Sequence, residues 1–276
     1  MQILVNKLMK QTQKKDKTEK KNETADMKIK LAVCCVAGLI VLAAIIFGII
    51  FLYRSIFTGN PRFTITKIVV NSNGYWNNRT ADLIKVTGLK VNSDNIWKLS
   101  LSNLREKALK LEGVENCDVI RIIPNTIEFS ITERVPRAQL SEYPSVLVDS
   151  GTFAIPKSKA MPNTGKLPYI MGMPKKMKFI ANKKIPQLDF AMFLIMKTIR
   201  DFSEFEIVAI DIANPDYYTL WLRYNGGAIK RVIIPVDDKS IDIKFIALRT
   251  AMSQAAIKNI EYKLFDLSFK DRVVCQ

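Results

Sequence analysis

Hydrophobic and polar positions fall into three regimes along this chain. From Leu31 to Tyr53 there are 23 residues without a charge, which as a helix would cover about 34 Å, enough to cross the hydrocarbon core of a bilayer. The run exceeds a signal-peptide core and no small-x-small cleavage site follows it, so it predicts a retained transmembrane helix. Before it the chain is polar and lysine-rich. After it, apolar residues recur at short periods. Ile127, Phe129 and Ile131 alternate with Thr126, Glu128, Ser130 and Thr132, the period-2 pattern of a strand with one buried face. Pro124-Asn125 supplies the turn of a hairpin running from Val119 to Ala138. Upstream, Phe63 to Asn71 reads as a strand, and a short helix follows that Thr80 caps and Gly88 ends, with Ile84 on its inner face. Leu104, Ala108 and Leu111 mark a second helix, beginning near Ser102 and stopping at Gly113. The order is β-α-α-β-β.

The remainder changes character. Val146 to Asp149 and Phe153 to Pro156 flank a turn at Ser150-Gly151. The segment from Met171 to Pro186 carries lysines and prolines without periodicity, which predicts a mobile loop. Leu188, Met192, Ile195, Ile199 and Phe202 mark a helix, and Ile207 to Ala213 a strand. Tyr218 to Tyr224 and Ala228 to Pro235 flank Asn225-Gly226, a strong hairpin signal. Asp237 or Asp238 can cap a helix whose inner face holds Ile241, Phe245, Leu248 and Met252. Tyr262 to Phe269 returns to strand alternation.

Charge adds orientation. The chain carries +16 overall. Nine lysines precede the apolar run, and only Arg54 and Arg62 lie just after it, so the N-terminus is expected in the cytoplasm and the rest outside. The tail composition is that of a disordered segment. No aromatic residues interleave with clustered arginines, so nucleic acid is not expected as a partner. Cys34 and Cys35 read as apolar fillers of the span. A Cys117-Cys275 bridge is chemically allowed outside the cytoplasm, with free thiols the default. The sequence contains no histidine, which removes Ser-His, Cys-His and His-ligated metal chemistry. No cofactor or metal site is expected, and Ser100 and Ser102 read as helix caps. A binding protein is expected rather than an enzyme.

Several of these motifs, in order, resemble one family. Val119-x-Arg121, the Pro124-Asn125-Thr126 turn and the exit through Glu133-Arg134-x-Pro136-x-Ala138 resemble the end of the POTRA (polypeptide-transport-associated) domain of the FtsQ/DivIB bacterial cell-division family. Val70-x-x-x-Gly74, Gly88-Leu89 and Asn95-Ile96 fall where that family places them, and Val148-Asp149-Ser150-Gly151 resembles its Val-Asp-x-x-Gly signature with glycine one position earlier. The ending Phe265-Asp266-Leu267-Ser268-Phe269 is similar to its Asp-Leu-Arg-Tyr ending, with Ser268 where arginine is common and Phe269 where tyrosine is common.

The resemblance implies an α+β architecture: a cytoplasmic basic tail (1–30), a transmembrane helix (31–53), a POTRA domain (61–138), and an FtsQ-type β domain (139–276) built on a mixed sheet with flanking helices. It further implies a non-enzymatic division scaffold at the septum of the plasma membrane, whose β domain binds FtsB/FtsL-like single-pass partners and whose POTRA domain recruits other divisome proteins. The expected β-domain contact is the edge of the last strand: Phe265, Leu267, Ser268, Phe269 and Lys270, because an unpaired strand edge accepts an extended segment. The expected POTRA contact is Arg121, Glu133 and Arg134. For Glu133 and Arg134 a second reading stays open, namely solvated charges that only end a strand. A membrane-anchored POTRA protein of export or outer-membrane biogenesis and a wall-acting enzyme are the competing functions.

Overall fold

The computed structural model describes residues 35–160, 166–236, 239–269 and 272–276, and the chain divides into two units, residues 1–63 and 64–276. In the first unit helix α1 covers Cys35–Thr58. Its apolar side chains stand exposed along the whole helix, with Leu39, Phe47 and Leu52 more than half exposed, a surface suited to lipid and not to water. It is the one helix among the described residues long and apolar enough to cross a membrane. That is compatible with a single-pass membrane protein. The helix continues five residues beyond Tyr53, where the first charge marked the end of the expected span. A charge at Arg54 does not break a backbone; the helix ends instead in a wide final turn where the Gly59 N–H donates to the Arg54 carbonyl at 2.6 Å. The basic tail, residues 31–34 (Cys34 included), and Asp237 and Asp238 lie outside the described residues.

The second unit holds two sheets. The first has three strands, β1 (Lys67–Ser72), β2 (Val114–Ile122) and β3 (Thr126–Glu133), in the order β1-β3-β2. Two helices follow β1: α2 (Thr80–Thr87) and α3 (Leu101–Ala108). This is the expected β-α-α-β-β order, with β1 parallel and β2 antiparallel to β3. Ile127, Phe129 and Ile131 are buried as their alternation predicts, with Leu83, Leu104 and Ala108 among the buried residues of the two helices. Ser100 caps α3, its hydroxyl accepting from the Asn103 N–H at 3.3 Å. Two details differ. Thr80 is the first helical residue rather than the cap, and the buried face of α2 carries Leu83 and Thr87 while Ile84 is only half-buried.

The second sheet is mixed, with nine strands in the order β12-β11-β10-β9-β8-β7-β4-β5-β6. They are β4 (Pro136–Leu140), β5 (Val146–Asp149), β6 (Ala154–Pro156), β7 (Tyr169–Met171), β8 (Phe205–Asp211), β9 (Tyr217–Tyr224), β10 (Ile229–Pro235), β11 (Leu264–Asp266) and β12 (Val274–Cys275). Parallel neighbours need a crossover. Helix α4 (Asp189–Asp201) carries the chain from β7 to β8, and α5 (Ile241–Ile257) from β10 to β11. Leu188, Met192, Ile195, Phe245 and Leu248 bury with Ile170, Ile210, Leu220, Leu222, Val232 and Ile234 in one core. Ile199, expected on the inner face of α4, is exposed. Asn225 and Gly226 both take positive φ, 46° and 72°, as the tight β9–β10 turn requires. At Gly172, with φ +90°, a Cβ would lie 2.5 Å from the Ala213 backbone nitrogen, so the chain passes there only without a side chain.

The segment after Gly172 corrects an expectation. It lacks periodicity, yet it is held by bonds from several elements. The Tyr143 hydroxyl donates to the Pro174 carbonyl and accepts the Met177 N–H at 2.8 Å. Asn182 and Lys183 bond the backbone of Ala154 at 3.0 Å each, and Ile185 bonds Thr152 at 2.8 Å. This is a fixed strap along β6, not a mobile loop.

Candidate partner-binding surfaces

The two expected contact regions sit on different sheets and meet different fates. In the three-stranded sheet Glu133 continues the parity of Ile127, Phe129 and Ile131, and it is 5 % exposed. Its carboxylate accepts from the Ser72 hydroxyl at 2.5 Å and from the Tyr75 and Trp76 N–H groups at 2.8 and 2.7 Å. It fastens the turn after β1 from a buried position, which corrects the expected contact. Arg134 is directed to the second sheet. Its Nη1 meets Asp149 Oδ2 at 2.7 Å, and its guanidinium lies 4.0 Å over the Phe153 ring. Asp149 Oδ1 also accepts from Gly151 and Phe153 N–H at 2.9 and 2.8 Å, so the Val148-Asp149-Ser150-Gly151 segment is a turn lock that also receives Arg134. Arg121 donates to the Ile96 and Leu99 carbonyls at 2.9 and 2.6 Å and fastens that loop to β2.

Asn182, which the sequence did not single out, completes the joint between the sheets. Its Oδ1 accepts from Gly113 N–H at 3.0 Å and its Nδ2 donates to the Leu111 carbonyl at 2.7 Å. No local pattern announces such a residue.

At the C-terminal region the expected strand is shorter. β11 ends at Asp266, because Ser268 N–H turns back to Asp266 Oδ1 at 2.8 Å. Phe265 and Leu267 are 2 % and 1 % exposed and belong to the core, which removes them from the expected contact. Ser268 and Phe269 are exposed, and Lys270 lies outside the described residues. Lys244 on α5, itself buried, donates through Nζ to the carbonyls of Leu267 and, at 3.3 Å, Phe269, holding this stretch against the helix. The outer side of β11 is not free, since β12 pairs with it antiparallel. Leu264 and Gln276 exchange both backbone bonds, at 2.9 and 3.0 Å. By the alternation of an antiparallel ladder the N–H and C=O of Cys275 then point away from β11. The edge of this sheet is therefore β12, not Tyr262 to Phe269. Cys117 and Cys275 are free thiols on different sheets; burial pushes the Cys117 thiol up to about 11 and raises that of Cys275.

A three-stranded sheet bearing two helices in β-α-α-β-β order is one finding, and the match to known families is the other: residues 63–134 match the model of the POTRA domain, FtsQ-type. The chain carries an FtsQ-type POTRA domain. That domain and the one apolar helix ahead of it support an FtsQ/DivIB-like protein. The family is division-associated, built of scaffolds and generally non-enzymatic. No curated protein matches this chain.

Proposed function

We propose that this FtsQ/DivIB-like chain is a non-enzymatic scaffold of the division septum, inserted once in the plasma membrane with its N-terminus in the cytoplasm. Its POTRA domain takes part in recruiting other division proteins, and its nine-stranded sheet binds FtsB/FtsL-like single-pass partners, coupling cytoplasmic assembly to septal wall synthesis. The observation that carries the binding role is the edge at β12, where Cys275 presents an N–H and a C=O outward. An extended segment adding there gains main-chain bonds, and Phe269, 44 % exposed and six residues before Cys275, offers an aromatic anchor.

The test replaces the outward donor and the anchor separately. Cys275→Pro removes one N–H without touching the Leu264–Gln276 bonds, and should weaken recovery of FtsB/FtsL-like partners about tenfold. Phe269→Glu should cost about thirtyfold. Both variants should melt like the parent, and cells depleted of the native protein should divide poorly on either. Normal partner recovery and normal division with both would place the binding surface elsewhere.

A further inference from the structure

The tip of the β2–β3 hairpin exposes apolar surface that neither sheet uses. Ile120, Ile122 and Ile123 are 50 %, 42 % and 51 % exposed. Ile120 and Ile122 share the face of β2 opposite to buried Cys117, and the register sets Ile120 across from Glu128 and, beyond it, Val69 on β1. Ile123 leads into the Pro124-Asn125 turn.

The chain enters the second unit at this same corner. The Asn125 carbonyl accepts the Thr66 and Lys67 N–H groups at 3.0 and 3.4 Å, and Ile65 N–H donates to the Asp94 carbonyl at 2.9 Å. Lys67 is exposed opposite Thr126 at the start of β1, and Lys90 and Lys98 are exposed on the loop that bonds Ile65 and Arg121. Three acids lie near this corner: Asp94 accepts the Lys90 N–H at 2.8 Å, Glu128 accepts from Asn71 at 2.9 Å, and Asp118 is exposed on the same face of β2 as Ile120. Five residues, 59–63, separate the end of α1 from Thr64, and five residues reach no more than about 18 Å. Covalent connection alone keeps this corner at high effective concentration at the surface of whatever bilayer holds α1.

We infer that Ile120, Ile122 and Ile123 seat in the interfacial layer of that phospholipid bilayer, with Lys67 and the lysines of the 90–98 loop available to anionic headgroups. Exposed apolar side chains with lysines nearby suit interfacial membrane contacts, whose strength grows with buried apolar area and with anionic lipid. The inference rests on α1 crossing the bilayer.

Bromine on lipid acyl chains quenches a nearby indole, so depth can be read directly. The full chain is reconstituted in phosphatidylcholine/phosphatidylglycerol nanodiscs with brominated acyl chains, and the signal of the unsubstituted chain is subtracted. Three variants are compared: Ile123→Trp at the tip, Ile45→Trp inside α1, and Ile180→Trp on the strap, where the native side chain is 60 % exposed. The introduced indole should lose about half its emission at positions 45 and 123 and little at 180, as expected of a side chain about 5–10 Å into the interface. Quenching at 123 should grow with the phosphatidylglycerol fraction. Ile122→Trp should repeat the result independently. Quenching at 45 with none at 122 or 123 would overturn the inference and leave the anchor standing. No quenching at 45 would overturn both.

Discussion

Glu133 and Arg134 stand side by side in sequence, and both look like solvated charges closing a strand. One is a core carboxylate and the other a strut between sheets. Glu133→Ala would leave the Tyr75 and Trp76 N–H groups and the Ser72 hydroxyl without their acceptor in a buried setting. Each such loss costs about 1–3 kcal/mol, so stability should fall by roughly 3 kcal/mol or more. Urea denaturation of the full chain in neutral detergent measures it, with pull-down under native conditions alongside. Unchanged stability with lost partner binding would return Glu133 to a contact role. The burial was legible, since Glu133 continues the parity of Ile127, Phe129 and Ile131. A reading that treats a charge as an ending overrides its own periodicity. Lys244 and Asn182 were not legible, because their roles depend on carbonyls that become neighbours only once α5 and the strap are in place.

Among elements, helices and long strands were readable, while the shortest pieces were not. The apolar spacing of α4 and α5 and the Asn225-Gly226 turn gave their positions from local pattern alone. β11 and β12 span three and two residues, too few for a period to register, and their pairing comes from hydrogen bonds made across the chain. The strap looked mobile for the same reason: its order derives from Tyr143, Ala154 and Leu111, not from itself. The joint between α4 and α5 is electrostatic as well as apolar. Lys197 reaches Asp201 at 2.8 Å and Asp242 at 2.6 Å. The Arg200 guanidinium, and after it the Lys197 ammonium, hold the Asp201 carboxyl well below the usual range, while Asp201 and Asp242 push Lys197 upward. A depressed carboxyl favours the folded state above about pH 3.9 and gives this up as acid protonates it. A raised lysine favours it below about pH 10.4 and gives this up as base neutralises it. Lys197→Met should therefore flatten the fall in melting temperature above about pH 10 and, because Arg200 stays on Asp201, only partly flatten it between about pH 5 and pH 2. Parallel pH profiles for variant and parent would show the joint to be held by packing alone.

For the whole molecule the first question is direction of insertion. Nine lysines before Leu31 against two arginines just after the span set the expected topology. A reporter fused after Gln276 that works only outside the cytoplasm should be active, and one that works only in the cytoplasm should be silent. The reverse result would remove the division reading along with the orientation.

The order of strands in the larger sheet has a further consequence. The POTRA region meets this sheet at Asp149 on β5 and at Asn182 beside β6, whereas the edge at β12 is the opposite end. Eight strand spacings between β6 and β12 come to about 38 Å. A protein gripping β12 therefore leaves the POTRA region unobstructed, and anything held there keeps a set separation from the first. The sheet acts as a ruler: lengthening or shortening it by a strand would change the gap between two bound proteins while leaving each binding surface intact.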